Sequence, residues 1–322
     1  MQYSTFAAID IGSYDVILEI FEISKKQGIR SVDKICHRME LGKDTYTLGK
    51  IRPEMEEELC RVLADFVRIM EGYRVDDYRA TASSAISEAS NSLYVLGKIH
   101  QLTGLSVTVL SNSEQRFLSY KALAAMEDNF NKIIEKGTAI LDLDGGSFQI
   151  SLFDKDALVT TQNIRMGSLR IRERLAGIQS ETEHYEEMVE ELIWNEVSSF
   201  KKMYLKDRKI ENIMLIGDVF TDSVYQNIEE KTTKIISREN FNTWYEKIIR
   251  QSPMELAVKL GIPLENASLM YPSAVIYKCL IDMMGAEHIW IPGVHMTRGI
   301  AYEYAEQMKL LKGGHNFEND IL

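Results

Sequence analysis

Two stretches of this sequence place a carboxylate, small turn residues and a hydroxyl close enough together to grip a phosphate. In residues 139–153 an apolar run reaches Asp142, passes Leu143 and Asp144 to the pair Gly145-Gly146 and then Ser147, and alternation resumes at Phe148. The pattern is strand, tight turn, strand. Glycine tolerates backbone angles that clash for other residues and lets the main chain approach a ligand closely. Consecutive N–H groups of such a turn can form an anion-binding nest, here with Asp142 beside it. Residues 6–21 repeat the grammar: an apolar run, Asp10, Ile11, a turn with Gly12 and Ser13, then an alternating run from Val16. A plain hairpin would explain either copy alone. Their repetition points to an internal duplication in which each half gives one phosphate loop to a shared cleft.

The elements that must position these loops follow from composition and periodicity. At 322 residues and 45% hydrophobic the chain can bury substantial cores, and its length favours two domains. Lys+Arg 37 against Asp+Glu 48 leaves a net charge of −11, which argues against nonspecific binding to nucleic acid or anionic membranes. Cys36, Cys60 and Cys279 show no CxxC spacing, so a reduced, cytoplasmic setting is expected and a metal–thiolate site is not. No long uninterrupted apolar span is present, so neither a membrane helix nor a signal peptide is expected. The six histidines lack ligand spacing.

In chain order, residues 30–41 look like a third strand, with Leu41-Gly42-Lys43 turning out of it. Pro53 opens an amphipathic helix carrying Met55, Leu59, Val62, Leu63, Phe66, Val67 and Met70, which Gly72 stops. A short strand over 78–83 leads into a helix over 84–99, and a strand over 106–110 into a helix from about Arg116. The second half repeats the scheme. A basic turn at 165–170 precedes a helix over 185–204 and a strand over 212–217. Helices over 244–250 and 253–260, a loop opened by Pro263, a buried helix over 275–284, a last strand at 289–292 and a closing helix over 298–311 complete the chain, with a frayed tail from Lys312.

With these landmarks in place, the sequence resembles the exopolyphosphatase/guanosine pentaphosphate phosphohydrolase (Ppx/GppA) family over about its whole length. The pieces are Asp10-Ile11-Gly12-Ser13, Leu41-Gly42, residues 84–91, 111–116 and 142–149, Met166-Gly167-Ser168-Leu169-Arg170, and Thr297-Arg298-Gly299. The resemblance implies an α/β chain with a duplicated actin-like (ribonuclease H-like) two-domain fold and an interdomain cleft. It places the first domain at 1–125 plus 300–322 and the second at 126–299. It further implies removal of a terminal phosphate from polyphosphate or pppGpp by an activated water, with two phosphate loops, arginines, a glutamate and usually Mg²⁺. Homodimers are common in the family. Asp10, Gly12, Ser13, Gly145, Gly146, Ser147, Arg170 and Arg298 become candidate phosphate contacts, together with Arg165. Glu114, Gln115 and Asp142 become candidate catalytic residues.

Departures from the family pattern fall on these same parts. Tyr14-Asp15 stands for the usual Asn-Ser, Asp144 for a glycine, and Phe148-Gln149 for Thr-Glu. Gln115 occupies the position associated with catalysis, arginines expected near Glu40, Ser87 and Thr297 are missing, and the late glycine-rich loop reads Gly217-Asp218-Val219-Phe220-Thr221. Glutamine cannot take a proton from water, and loss of a general base costs about 10²- to 10⁴-fold. Asp15, Asp144 and Asp218 add negative potential where a polyanion would lie. Two rescues are open: Glu114 swings into the water-activating role, or the aspartates, with Asp10, Asp142 and Asp144 as ligands, hold a divalent cation. Three functions remain: an impaired or altered phosphohydrolase, a catalytically silent phosphate- or nucleotide-binding regulator, and, with least support, an ATP-dependent small-molecule kinase.

Overall fold

The computed structural model describes residues 3–126, 130–176, 185–206, 208–217, 220–221, 223 and 234–310. The chain divides into two units, one formed by Met1–Ala125 with the segment that returns at His295, the other by Met126–Val294. In the first, β1 (Ser4–Ile11), β2 (Asp15–Ser24) and β3 (Gly28–Arg38) form an antiparallel meander, followed by α1 (Leu41–Leu48) and α2 (Pro53–Tyr73). Then come β4 (Asp77–Ala82), α3 (Ser84–Ser87), α4 (Ser92–Thr103), β5 (Val107–Val109) and α5 (Asn112–Met126). In the second unit α6 (Phe130–Ile134) precedes the meander β6 (Thr138–Leu143), β7 (Phe148–Asp154) and β8 (Ala157–Ile164). After it run α7 (Ser168–Leu175), α8 (Tyr185–Phe200) with a π-helical turn at Lys201–Leu205, β9 (Asn212–Ile216), β10 (Lys234–Ser237), α9 (Arg238–Ile249), α10 (Pro253–Leu260), α11 (Leu264–Met284) and β11 (His288–Ile291). The returning segment forms α12 (Met296–Gln307).

The duplication is written in the sheets. The first has the order β3-β2-β1-β4-β5, and the second, read from its meander edge, β8-β7-β6-β9-β11 with β10 added. In both, the central strand pairs antiparallel with its hairpin partner and parallel with the strand beyond. This is the duplicated ribonuclease H-like arrangement. Parallel strands sharing a sheet end at one edge, so the loops after β1, β4 and β5 gather there, as do those after β6, β9 and β11.

Strand alternation sorts the first sheet's two faces. Ala7, Ile9, Ile11, Val16, Leu18 and Ile20 pack against Leu59, Leu63 and Phe66 of α2. Phe6, Ala8, Phe21 and Ile23 pack against Ile300, Ala301 and Ala305 of α12. Side-chain ties fix α12 further: Arg79 pairs with Glu303, Lys121 with Glu306, and the buried Glu19 accepts from Thr297 Oγ1 at 2.5 Å. Thr297, Arg298 and Gly299 therefore belong to the first unit.

Several elements differ from the sequence reading, each for a local reason. Residues 41–43 begin a helix, α1, closed by Gly49 at φ +72°. The stretch expected as one helix over 84–99 breaks into α3 and α4, because the Asn91 side chain bonds both the N–H and the C=O of Ile51 (3.0 and 2.8 Å). Pro263 opens no loop but precedes α11 directly, its carbonyl accepting from Ala267 N, and α11 carries Pro272 in its interior. The tail from Lys312 lies outside the described residues.

Candidate functional site

The first loop turns between β1 and β2. Gly12 N–H donates to the Asp15 carbonyl at 2.9 Å, and a Cβ on Gly12 would stand 2.9 Å from Asp15 Oδ1. Glycine is needed because the Asp15 side chain folds over it. Ser13 is fully buried, its hydroxyl in a triangle with Tyr46 OH (2.7 Å) and Ser84 Oγ (3.4 Å). Its carbonyl accepts from Gly42 N at 2.7 Å. The side chain thus ties the turn to α1 and α3. Asp15 is 8% exposed and accepts from Arg38 Nη1 at 2.7 Å. The charge read from the sequence as added negative potential is thereby paired. Desolvation and the neighbouring Asp15 push the Cys36 thiol up to about 12.

Asp10 lies on the face of β1 that carries Phe6 and Ala8, as alternate residues must. Cross-strand partners share a face, which places Glu19, opposite Ala8, and Asp15 with Arg38 on that side too. The start of α12 sits on Glu19, so Arg298 belongs to the same face. The buried Nε of Arg298 has no hydrogen-bond partner among the described residues. Close packing brings α5 to this place: a Cβ on Gly299 would lie 2.1 Å from the Leu118 carbonyl. Gln115, one helical turn before Leu118, is joined through this contact to the neighbourhood of Arg298.

At the start of α5, Glu114 forms a capping box with Ser111: Ser111 N–H donates to its Oε2 at 2.7 Å, and Glu114 N–H to Ser111 Oγ at 3.3 Å. These bonds, the backbone one foremost, hold the Glu114 carboxyl below the usual range. Gln115 Nε2 donates to the Leu110 carbonyl at 3.2 Å.

The second loop, between β6 and β7, is locked by its own bonds. Asp144 N–H donates to the Ser147 carbonyl (2.9 Å), and Asp144 Oδ1 accepts from Gly145 N–H (2.6 Å). Arg170 clasps the turn twice, from its N–H to the Gly145 carbonyl (2.9 Å) and from Nε to the Gly146 carbonyl (2.8 Å). Gly167 makes this possible, since a Cβ there would sit 2.3 Å from the Asp144 carbonyl and 2.4 Å from Ser147 N. Gly217, at φ +91°, lays the end of β9 against Asp142 Oδ1. Opposite Asp142 across the hairpin is Gln149, 6% exposed, and its Oε1 has no hydrogen-bond partner among the described residues. The fully buried Ser168 hydroxyl is in the same condition.

The structure thus assembles Asp142, Asp144, Gly145, Gly146, Ser147 and Arg170 at one edge of the second sheet. It assembles Asp10, Gly12, Gln115 and Arg298 at the corresponding edge of the first. Arg165 is exposed beyond the clasp. Asp218 lies outside the described residues. Among the described residues, no group of three or more His, Cys, Asp or Glu side chains could hold a metal ion. Sequence reasoning missed Arg38, Gln149 and Ser168 as functional candidates. The strand pairing Asp15 with Arg38 was the one available signal, and it required the register. No helix of the described residues is long and apolar enough to cross a membrane.

Residues 19–308 match the Ppx/GppA phosphatase family. A bifunctional 3-dehydroquinate synthase/phosphatase of Fusobacterium nucleatum is 21% identical over 310 residues, 88% of this chain and 44% of its own length. Exopolyphosphatase 1 of Mycobacterium leprae is 25% identical over 144 residues, 44% of this chain and 41% of its own length. The chain spans less than half the length of these relatives. An exopolyphosphatase structure from Cytophaga hutchinsonii matches with a TM-score of 0.84 at 17% identity, over 96% of this chain and 100% of that one. The Aquifex aeolicus Ppx/GppA family member matches with a TM-score of 0.76 at 18% identity, over 95% and 99%. At such identities the likeness shows the fold.

Proposed function

Because this chain belongs to the Ppx/GppA phosphatase family, we propose that it binds the terminal phosphates of inorganic polyphosphate or a guanosine polyphosphate and hydrolyses the last one slowly. The observation that carries this reading is the second loop: a Gly-Gly turn clasped by Arg170, with the buried side chains of Gln149, opposite Asp142, and Ser168, against the Asp144 carbonyl, lacking partners among the described residues. Buried polar atoms without partners are costly unless something else satisfies them. The Ser168 hydroxyl can donate to a phosphate oxygen, and the Gln149 amide oxygen can accept from a water of the phosphate's shell. Phosphoryl transfer requires chiefly positioning and stabilisation of charge, which backbone N–H groups and arginines supply.

Slowness follows from the start of α5. The attacking water needs a base. Gln115 is neutral and engages the Leu110 carbonyl, while Glu114 is engaged in its capping box. Mg²⁺ enters this reading with the ligand. Magnesium takes one or two carboxylates and completes its shell from substrate phosphates and water, and on this reading Asp142 is its protein carboxylate.

A second reading, a silent binding regulator, is favoured by the same engaged Glu114 and neutral Gln115. Two measurements on the whole chain separate them: phosphate release from polyphosphate and pppGpp, and the melting temperature with each ligand, with and without Mg²⁺. Release of phosphate supports the hydrolase, and a raised melting temperature without release supports the regulator. Neither response would end both. Homodimerisation belongs to the same proposal, and sedimentation velocity reads it.

A further inference from the structure

Arg38 ends β3 directly opposite Asp15, the first residue of β2. Its Nη1 donates to Asp15 Oδ2 at 2.7 Å, and its guanidinium carbon lies 5.6 Å from the centre of the Tyr14 ring. The carboxylate is withdrawn from solvent, while 34% of the arginine side chain stays exposed. Cross-strand alternation sets Arg38 on the face that carries Asp10, beside the turn of Gly12 and Ser13. Tyr14 and Asp15, the two residues that seat it, are the two that depart from the pattern this loop otherwise follows. Read singly, Asp15 opposes a polyanion; read with its partner, it aims a cation.

We propose that Arg38 is the cationic phosphate contact of the first loop, held for that role by Asp15 and Tyr14. This rests on the phosphate-binding reading above and deepens it by naming the group that replaces the arginines absent near Glu40, Ser87 and Thr297. A guanidinium is always charged, weakly hydrated and forked, so it suits phosphate oxygens better than an ammonium does. Bonded at Nη1 by a carboxylate and lying over an aromatic ring, it has less rotamer freedom to lose on binding. Its partly exposed position keeps it within reach of a ligand.

The test is calorimetric titration of the full chain with inorganic tripolyphosphate, comparing wild type, Arg38→Lys, Arg38→Ala and Arg250→Ala. Arg250 is an exposed arginine of α9's end whose removal changes net charge equally. Arg38→Ala is expected to weaken binding about 10- to 100-fold, Arg38→Lys by an intermediate factor, and Arg250→Ala hardly at all. Equal affinities in Arg38→Ala and wild type overturn the assignment, as does an equal loss in Arg38→Ala and Arg250→Ala. If alanine unfolds the sheet edge by circular dichroism, Arg38→Lys decides, and wild-type affinity in it is the overturning result. A wild type that binds no tripolyphosphate removes the phosphate-binding reading itself, and the Arg38 proposal falls with it.

Discussion

On the proposed hydrolase reading, turnover depends on Gln115. Its neighbour Glu114 supplies a carboxylate but uses it to satisfy a backbone donor at the helix start. Restoring a base by Gln115→Glu is expected to raise phosphate release at least about 10-fold, since general bases contribute about 10²- to 10⁴-fold. A rate unchanged within error, at unchanged ligand affinity, would remove Gln115 from the account. Glu114 itself makes a pH-dependent prediction. Its folded-state carboxyl is held below the ordinary value, so its stabilisation is present above that value and fades as pH falls through the folded one. Glu114→Gln keeps a capping partner that does not titrate. Wild type should therefore melt higher at pH 7, and the difference should vanish in strongly acidic buffer; a constant difference across the series refutes the capping role. At this scale the sequence was legible for residue types and misleading for charge. Asp15 and Asp144 counted as bare anions, yet one is paired with Arg38 and the other accepts from Gly145 N–H. Neither contact has a signature in linear spacing.

Among the elements, the site depends on backbones that touch. Gly167 lets α7 begin against the second loop, and Gly299 lets α12 lie on α5. A methyl group at either place meets carbonyl oxygen at 2.3 or 2.1 Å, which only backbone movement relieves. Gly167→Ala and Gly299→Ala should each destabilise by about 1–3 kcal/mol, and Gly167→Ala should also weaken tripolyphosphate binding by loosening the Arg170 clasp. Denaturant melts and the same titration read both effects, and a neutral Gly167→Ala would refute the close packing. The strands were legible because apolar alternation and the two glycine-bearing turns announce them. Helix boundaries were less so. Asn91 breaks a helix through a bond to Ile51, forty positions earlier, and α5 begins at Asn112 rather than near 116 because Ser111 and Glu114 cap each other.

For the molecule as a whole, the repeat of one strand order in two sheets was foreshadowed by two similar turns, and β11 by the apolar run at 289–292, while β10, four residues long, was not. Also hidden from the linear reading was how firmly the returning segment completes the first unit. α12 covers Phe6, Ala8, Phe21 and Ile23 and anchors on Glu19, Arg79 and Lys121. Truncation after Val294 should leave that apolar face and a buried carboxylate uncovered. The truncated chain is expected to bind a hydrophobic dye and to lose the cooperative melt of the first unit. Retention of the full-length transition would show that α12 is dispensable.

The same discontinuity sets a timetable during synthesis. When residue 125 leaves the ribosome, the meander and its parallel strands are present, but one side of the sheet still lacks its cover. Elongation at about 5–20 residues per second means a wait of roughly 10–40 seconds before position 307 emerges. Through that interval the nascent chain is expected to expose the apolar face that α12 later covers, and a codon-level slowdown inside the second unit would lengthen the exposure.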